Sequence, residues 1–333
     1  MAAGCGYDAL VVVSFGGPEG PQQVGPFLDN VLRGRNVPPE RRDQVAEHYY
    51  RFGGRSPLND HNRALVTAVA ADFKAHRLDL PVYWGNRNWH PMLADTVRRM
   101  GDDGVQRALA FVTSAYASYS GCHQYLDDIA HARAAVGGQA PVIDKLRVFY
   151  NHPGFVQANA DALRSALDAA GARARVVFTA HSIPQSMAAT CDYQQQLLET
   201  ARLVISHAAP DAAPEWSLAF QSRSGPPTQP WLEPDIADQL RALAGQGTGP
   251  VVVAPIGFVS DHMEVVFDLD TEAQQLAAGL GLRMVRAATA GVHPAFVTMV
   301  RQLVTERLDP SAPKAALGGR GPYHDTCRAE CCP

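Results

Sequence analysis

The sequence predicts an α/β protein made of two similar Rossmann-like domains, each with a parallel β-sheet flanked by helices. Short apolar runs rich in β-branched residues, such as 9–15 (ALVVVSF), alternate with longer stretches of helical periodicity along the whole chain. Several of these runs are continuously apolar, as in strands that are buried on both faces. The same alternation starts again after a changeover near 136–145, and strands separated by helices imply parallel βαβ units.

In the first half, residues 9–15 end at Gly16-Gly17-Pro18 and predict the first strand. Apolar residues then recur at helical spacing from Val24 to Leu32. Further helices are predicted around 39–52 and 60–75, and further strands at 81–85 and 108–113.

The second half repeats this order. Strands are predicted near 146–150, 175–180, 216–221, 250–258 and 282–286. Helices are predicted near 154–170, 192–207, 233–245, 262–279 and 293–307. We therefore predict domains at 1–140 and 141–308, followed by a cysteine-bearing tail at 309–333. The tail is rich in Gly, Pro and Ala without a periodic apolar face, so we expect it to be disordered unless its cysteines are held.

Composition narrows the class of protein. The 333 residues carry a net charge of −4. This charge gives no reason to expect a nucleic-acid partner, which normally requires a basic patch. No apolar run reaches the roughly 20 residues that span a bilayer, and the first eight residues do not resemble a signal peptide. Six cysteines are too few for a disulfide scaffold. We expect a cytoplasmic monomer without a transmembrane segment.

Ligands of open α/β sheets bind beyond the carboxyl ends of the strands, and four predicted strand ends carry unusual residues. His181 follows the apolar run 176–178. A neutral imidazole there could bind a metal or accept a proton. The alternative is a histidine that only hydrogen-bonds a loop.

The second strand end leads into residues 257–272, where Glu264, Asp268 and Glu272 are spaced i, i+4, i+8 on one helix face. Like charges at this spacing repel each other and weaken a helix. Carboxylate oxygens suit divalent cations, so the row predicts a face that handles metal ions. The alternative is a solvated surface.

The other two strand ends suit a large, flat ligand. Trp231 follows residues 220–226 in a Pro-rich loop, where it could stack on a flat ligand or simply hold the loop in the core. The turn at Gly16-Gly17 matches neither G-x-G-x-x-G nor a Walker loop. We therefore exclude a nucleotide site there and expect the glycines to let a bulky ligand approach the backbone.

Six segments together resemble the ferrochelatase family, in the family's order and spacing over roughly residues 8–308, and in particular its soluble actinobacterial coproporphyrin enzymes. They are SFGGPEG (14–20), RGR (33–35), GGRSPLN (53–59), TAHSIP (179–184), FQSRSGPPTQPWLEPD (220–235) and GFVSDHMEVVFDLD (257–270). The resemblance implies the class II chelatase fold, in which two Rossmann-like domains face each other across a porphyrin cleft. It also implies insertion of Fe²⁺ into coproporphyrin III.

By this resemblance, His181 and Glu264 bind the incoming Fe²⁺ and accept the two pyrrole protons, a task for bases poised near the working pH. Asp268 and Glu272 extend the acidic row and could relay metal or protons. The resemblance further implies that Gln221, Ser222 and Trp231 line the porphyrin cleft.

Coproporphyrin carries four carboxylates, which need cations or hydroxyls. The resemblance points to Ser56, Tyr119, Arg33 and Arg35. His48 stands where some relatives have Arg. Phe15 stands where many bacterial relatives have Tyr; it lacks a donor atom, so we expect it only to pack against the ring.

The tail cysteines Cys327, Cys331 and Cys332 resemble those that hold a 2Fe–2S cluster in several ferrochelatases. Such clusters need four thiolates. Ala158 occupies the position that supplies the fourth in some relatives, so Cys191 is the first candidate and Cys122 the second. Either could be a plain buried thiol. A zinc site made by the three cysteines and His324 is the rival interpretation.

Three alternatives remain for the function. The porphyrin could be protoporphyrin IX. The protein could also carry a tetrapyrrole or a metal without catalysis, although a carrier does not need a base such as His181 or Glu264 beside the pyrrole nitrogens. Cobalt chelation for corrinoids, which uses a related fold, is the most distant alternative.

Overall fold

A computed structural model describes residues 6–34, 37–211, 213–226 and 228–326. In this part of the chain, eight strands form two four-stranded parallel sheets with the orders β2-β1-β3-β4 and β6-β5-β7-β8. The strands are β1 Ala9–Ser14, β2 Val82–Asn86, β3 Arg107–Val112, β4 Val142–Lys145, β5 Arg175–His181, β6 Trp216–Gln221, β7 Val251–Ala254 and β8 Met284–Arg286. The order of the first sheet is repeated in the second, which confirms the prediction of two similar α/β halves.

Helices cover both sheets. They are α1 Pro21–Val31, α2 Pro39–Tyr50, α3 Leu58–Ala75, α4 Leu93–Asp102, α5 Gln124–Val136, α6 Pro153–Ala170, α7 Gln185–Ala188, α8 Tyr193–Ala208, α9 Ile236–Gly245, α10 Met263–Phe267, α11 Gln274–Gly279 and α12 Pro294–Leu308. Two π-helical segments, Tyr119–His123 and Asp268–Ala273, precede α5 and α11. None of the helices in the described part of the chain has the length and apolarity that a bilayer crossing requires.

The strand predicted at 146–150 is wrong. The strand is β4, which ends at Lys145 and pairs in parallel with β3 (Arg107 opposite Val142). The next residues lie outside the sheet, yet Leu146, Val148 and Phe149 are buried. Leu146 N still donates to Ala110 O of β3 at 2.9 Å, but beyond it the apolar pattern reflects burial and not a strand. Because β4 belongs to the first sheet, that sheet extends beyond the predicted limit at residue 140.

One hydrophobic core connects the two halves. It contains Leu10 and Phe111 from the first sheet together with Val176 and Phe178 from the second. Phe149 lies between them, with its ring centroid 5.1 Å from that of Phe111 and 5.5 Å from that of Phe155. Smaller clusters lie on the outer faces of the sheets. The sheets are therefore held by shared packing, and the carboxyl ends of their strands keep a fixed relation.

The described part of the tail is ordered, contrary to the expected disorder. Leu317 N donates to Asn151 O at 2.8 Å, and Asn151 Nδ2 donates to Leu317 O at 3.2 Å and to Gly321 O at 2.8 Å. These three bonds satisfy main-chain polar groups of the tail, and their partner, Asn151, is fully buried. Cys327, Cys331 and Cys332 lie outside the described residues.

Candidate functional site

His181 ends β5 at the carboxyl edge of the second sheet. Its main-chain oxygen accepts a hydrogen bond from Tyr193 Oη at 3.0 Å. Its Nδ1 contacts the carbonyl oxygen of Ser182, which can only accept, so Nδ1 carries the proton. The other ring nitrogen, Nε2, lies 3.7 Å from Glu264 Oε2. The free lone pair therefore faces the carboxylate and can bind a metal or take a proton.

Glu264 lies between two imidazoles. Its Oε2 is 3.7 Å from His181 Nε2 and 3.6 Å from His262 Nε2. His262 caps α10, since its Nδ1 accepts from Val265 N at 3.2 Å, and Nε2–H therefore points at the carboxylate. Burial lowers the pKa of His262, and the Glu264 carboxylate partly opposes this effect.

His262 was not among the predicted site residues. The sequence does indicate His262 as a site residue, because it stands two positions before Glu264 at the start of a helix that follows a buried strand.

The acidic row runs from α10 into the π-helical segment Asp268–Ala273. On a regular α-helix, positions i, i+4 and i+8 drift around the axis. The wider π turns counteract that drift, so Glu264, Asp268 and Glu272 stay in line. Single π turns inside α-helices occur frequently at functional sites.

Asp268 is the centre of this row. Burial raises its pKa to about 7, and the Glu264 and Glu272 carboxylates add to the rise, whereas hydrogen bonds from Ser222 and Gln221 oppose it. Ser222 Oγ donates to Asp268 Oδ2, and Gln221 Nε2 lies 3.4 Å from the same oxygen. The two residues predicted to line a porphyrin thus also hold Asp268. Ser222 has a φ of 62°, an unusual value for a residue other than glycine and one that is often found at functional sites.

The opposite wall of the site comes from the first half and is aromatic. Phe27 packs edge-to-face on Phe15, Tyr49 and Trp89, with ring centroids 6.3, 5.7 and 6.2 Å away. Burial, and then the Glu264 carboxylate, raise the pKa of Tyr49, which places this phenol on the same side as Glu264. We use the term cleft for the space between this aromatic wall and the acidic row.

At one end of the cleft the halves touch. The His48 ring stacks on Phe267 with centroids 3.7 Å apart and planes at 11°. The Arg51 guanidinium carbon lies 5.9 Å from the centroid of the same phenyl ring.

The residues predicted to bind propionates are dispersed. Ser56 is buried, and its main-chain N–H donates to Pro18 O at 2.8 Å. A Cβ on Gly17 would lie 2.7 Å from Ser56 Cβ, so glycine is needed for this close approach. Tyr119 stacks on His123 with centroids 5.3 Å apart. Arg33 is exposed and donates to Asn30 Oδ1 at 2.6 Å, while Arg35 lies outside the described residues.

Trp231 is 8% exposed and packs below the loop that follows β6. A Cβ on Gly225 would lie 2.3 Å from its indole nitrogen, which has no hydrogen-bond partner among the described residues. Leu232 N donates to Ile183 O at 3.0 Å, so the Trp231 loop also holds the loop that follows His181.

Cys191 lies in the loop between α7 and α8, and its Sγ donates to Met187 O at 3.2 Å. Arg320 of the tail approaches this loop, with Nη1 3.9 Å from Asp192 Oδ1. Cys122 is buried in the first π-helical segment. Among the described residues, no three or more His, Cys, Asp or Glu side chains form a closed set of metal ligands.

Comparison with solved structures places the fold among chelatases. The sirohydrochlorin chelatase SirB of Bacillus subtilis subspecies spizizenii, solved with cobalt, aligns with a TM-score of 0.55 at 13% identity, over 91% of this chain and 95% of that one. A Deinococcus radiodurans protein with structural similarity to chelatases gives a TM-score of 0.54 at 15% identity, over 91% of this chain and 55% of that one. The predicted class II chelatase fold is confirmed.

The sequence comparisons are more specific. The family model for ferrochelatase matches residues 7–308. A ferrochelatase of Rhodopirellula baltica is 54% identical over 98% of this chain and 93% of that protein. Coproporphyrin III ferrochelatases of Streptomyces griseus and Mycobacteroides abscessus are 49% and 52% identical, over 98% and 90% of this chain and 93% and 88% of those proteins. The chain therefore belongs to the ferrochelatase family.

Proposed function

We propose that the protein inserts Fe²⁺ into coproporphyrin III and forms Fe-coproporphyrin (coproheme). The observation that carries this proposal is the group His181, Glu264 and His262, in which two imidazole nitrogens lie 3.7 and 3.6 Å from one carboxylate oxygen. The group faces an aromatic wall that suits a flat macrocycle. The substrate is suggested by relatives that are named coproporphyrin III ferrochelatases and are 49% to 52% identical.

Metal insertion exchanges one Fe²⁺ for two pyrrole protons. The lone pair of His181 Nε2 and the Glu264 carboxylate first hold the incoming ion. When the ion has passed to the pyrrole nitrogens, Nε2 is free again and accepts one proton, and the Glu264 carboxylate accepts the other. His262 Nε2–H points toward Glu264 Oε2 from 3.6 Å and so provides a polar neighbour for that carboxylate.

The acidic row then connects the group to solvent. Asp268, whose pKa is raised to about 7 by burial, can be protonated and deprotonated near neutral pH and so can pass protons from Glu264 toward the exposed Glu272. The same oxygens are suitable ligands for Fe²⁺ on its way in. We assign metal binding to His181, Glu264, Asp268 and Glu272.

We further propose that Phe15, Gln221, Ser222 and Trp231 line the porphyrin. Arg33, Arg35, Ser56 and Tyr119 are proposed to receive its propionates, since cations and hydroxyls are the natural partners of carboxylates. Phe15 packs against Phe27 and offers the ring only apolar contact.

The tail cysteines are proposed to hold a 2Fe–2S cluster, with Cys327, Cys331 and Cys332 as ligands and Cys191 as the fourth. The course of the described tail supports this choice, because Arg320 lies 3.9 Å from Asp192, the residue after Cys191. A bound cluster would make the protein brown, whereas a zinc site that uses His324 would leave it colourless. Cys191→Ser should remove the visible absorption, and Cys122→Ser should keep it.

We also propose that the protein is a cytoplasmic monomer that does not bind nucleic acid. The net charge of −4 supports the last point. Light scattering on a sizing column tests the monomer, since a mass near 35.8 kDa is expected.

The deciding experiment is anaerobic. Purified protein is mixed with Fe²⁺ and either coproporphyrin III or protoporphyrin IX, and the loss of free-base fluorescence is followed. We expect faster loss with coproporphyrin III, abolished by His181→Ala and unchanged by His207→Ala, an exposed control. Loss of fluorescence with protoporphyrin IX alone would show that coproporphyrin III is not the substrate. Tight binding of the porphyrins without iron insertion into either of them would overturn the catalytic role and indicate a carrier.

A further inference from the structure

Arg286 is the last residue of β8 and lies at the carboxyl edge of the second sheet. In the strand order β6-β5-β7-β8, β6 and β8 are the two edge strands. Arg286 pairs with Val253 of β7, and Ala287 N extends the pairing by donating to Val253 O at 2.9 Å. The Arg286 side chain is 19% exposed, although a guanidinium keeps its charge at any physiological pH. A charge that is buried to this extent needs polar partners.

The partners of Arg286 are two carboxylates from different segments of the chain. Both oxygens of Asp261 accept from the guanidinium, through Nη2–Oδ2 at 2.9 Å and Nη1–Oδ1 at 3.2 Å. Arg286 Nε donates to Asp270 Oδ1. Thr289 Oγ1 adds a bond to Asp261 Oδ1 at 3.1 Å. We refer to Arg286, Asp261, Asp270 and Thr289 as the arginine clamp. Because a guanidinium is planar and rigid, the clamp fixes the distance between the two segments.

Both segments carry groups of the candidate site. Asp261 directly precedes His262, and Asp270 lies in the π-helical segment between Asp268 and Glu272. Two positions are roughly half a turn of a helix, so Asp270 lies on the side opposite to the acidic row. The clamp therefore holds this segment from behind, while the acidic row faces the cleft.

The same π-helical segment is also held from the other edge of the sheet. Gln221 ends β6, and its Nε2 lies 3.4 Å from Asp268 Oδ2, to which Ser222 Oγ also donates. The segment is thus tied to β6 through Asp268 and to β8 through Asp270. It cannot slide along its axis or rotate about it without stretching one of these bonds. The position of the acidic row relative to the strand ends depends on both ties.

We propose that Arg286 is a positioning residue for metal insertion, which fixes His262 and the acidic row relative to His181. This proposal rests on the proposed function and adds a residue that lies outside the six family-like segments. Arg286 itself needs no contact with iron or porphyrin. Residues that orient metal ligands in this way typically contribute 10- to 100-fold to metal affinity or activity.

The competing role is stabilisation of the fold alone. A pair that only stabilises lowers the free energy of unfolding when it is broken but leaves the folded protein fully active. A positioning residue changes the metal affinity and the insertion rate of the folded protein and leaves its porphyrin affinity unchanged. Its effect also depends on the groups that it positions, so it is not additive with a change in Glu264.

The test uses Arg286→Met, Arg286→Lys and Asp270→Asn. The matched control is Arg301→Met, which breaks the similarly buried pair of Arg301 and Asp72, 2.7 Å apart, between α12 and α3. Binding of Co²⁺ to the porphyrin-free protein is followed by visible absorption, binding of coproporphyrin III by fluorescence, and insertion of Fe²⁺ anaerobically. All are measured at a temperature at which circular dichroism shows each variant to be folded.

We expect Arg286→Met to weaken Co²⁺ binding and to slow insertion by roughly 10- to 100-fold, with porphyrin affinity within about twofold. Asp270→Asn, which keeps the pair of Arg286 and Asp261, should lose about tenfold. Arg286→Lys keeps the charge without the planar fork and should recover only part of the loss. Arg301→Met should match the wild type in all three measurements.

A double-mutant cycle decides between the two roles. In the Glu264→Gln background, Arg286→Met should slow insertion by less than about threefold, because the group that it positions is already impaired. The same factor in both backgrounds would overturn the positioning role. An equal loss in Arg301→Met, or full recovery by Arg286→Lys, would overturn it as well. If Arg286→Met does not fold, Asp270→Asn takes its place in the cycle.

Failure of this proposal is distinct from failure of the proposed function. If the wild type inserts iron and the clamp variants match it, only the positioning role of Arg286 is wrong. If the wild type binds Co²⁺ but inserts iron into neither porphyrin, the proposed function is wrong. The Co²⁺ affinities of the variants then still test whether Arg286 positions the metal-binding groups.

Discussion

The two halves of the molecule have sheets of the same strand order but very different residues at the carboxyl ends of their strands. In the first half, β1 leads to Phe15 and two glycines, and helix α2 adds Tyr49. The basic residues Arg41, His48 and Arg51 lie on α2 or directly after it. In the second half, β5 ends at His181, β6 ends at Gln221, and β7 leads to Glu264 and the acidic row. One wall is thus aromatic and cationic, and the other is ionisable and acidic.

This difference indicates that the chemistry does not come from the fold itself. Parallel sheets of this kind bring strand ends together, and the residues placed there decide what is bound. A flat, anionic macrocycle and a small cation make opposite demands on a protein surface. Two copies of one architecture, facing each other, can meet the two demands separately.

The largest effect on stability is expected from a substitution at the place where the two halves join. Arg147, which follows β4, and Glu306 of α12 form a buried pair with two bonds of 2.7 and 2.9 Å, and Ala315 N of the tail donates to Glu306 Oε1 at 3.1 Å. Glu306→Ala leaves the Arg147 cation buried and unpaired, so we expect a loss of about 3–5 kcal/mol in the free energy of unfolding. Urea unfolding measures it.

Asp238→Ala serves as the matched control, because it breaks the exposed pair between Asp238 and Arg241, whose side chains are 68% and 57% exposed. Its loss should stay below about 1 kcal/mol. If the two variants lose the same stability, the buried pair does not stabilise the joint.

The second prediction concerns the acidic wall. Glu264→Gln keeps the shape of the side chain but removes the charge that meets His181 and His262. We expect iron insertion to fall by about 10²-fold or more, because a positioned proton acceptor is lost, while porphyrin binding stays within about twofold. Stopped-flow insertion and iron-free binding separate the two effects. Exposed Glu233→Gln is the control. A loss of porphyrin affinity that matched the loss of rate would assign Glu264 to binding.

The sequence predicted the architecture behind this comparison, since apolar runs located seven of the eight strands to within a few residues. It misplaced β4 because Leu146, Val148 and Phe149 are apolar for packing and do not continue the strand. The contacts across the cleft could not be predicted. His48 and Phe267 are 219 positions apart, and their stacking depends on how the two halves pack. For the same reason, the sequence alone does not show that Tyr49 lies near Glu264.

The third prediction concerns the pH dependence of stability. Burial raises the pKa of Asp268 in the folded protein from 3.8 to about 7. Between these values the folded state holds a proton that the unfolded state has released, so this group lowers stability as the pH rises from about 4 to 7. The full penalty, at most about 4 kcal/mol, is present above pH 7. Asp268→Asn removes it, so the variant should be more stable than the wild type at pH 8 and equally stable near pH 4.

Urea unfolding at pH 4.5, 6 and 8 measures this gain, and exposed Asp168→Asn is the control that should show no trend. A gain that does not depend on pH would mean that packing, and not the charge of Asp268, produces it. The same variant should slow insertion, because an amide cannot pass protons along the acidic row. A protein that carries this penalty in its folded state retains Asp268 for a reason other than stability.

The smallest effects are expected at two glycines, one beside each wall. A Cβ on Gly17 would lie 2.7 Å from Ser56 Cβ, and a Cβ on Gly225 would lie 2.3 Å from Trp231 Nε1. Neither has a positive φ, so alanine acts by displacing the neighbour, at a cost of about 1–3 kcal/mol. Gly225→Ala should move the indole and weaken porphyrin binding severalfold, and Gly17→Ala should do the same through Ser56.

The control is Gly245→Ala, whose new Cβ would meet no atom within 4 Å. If Gly225→Ala lowers stability but leaves porphyrin affinity unchanged, Trp231 supports the loop and does not line the cleft, and the flat contact to the ring then comes from the aromatic wall alone.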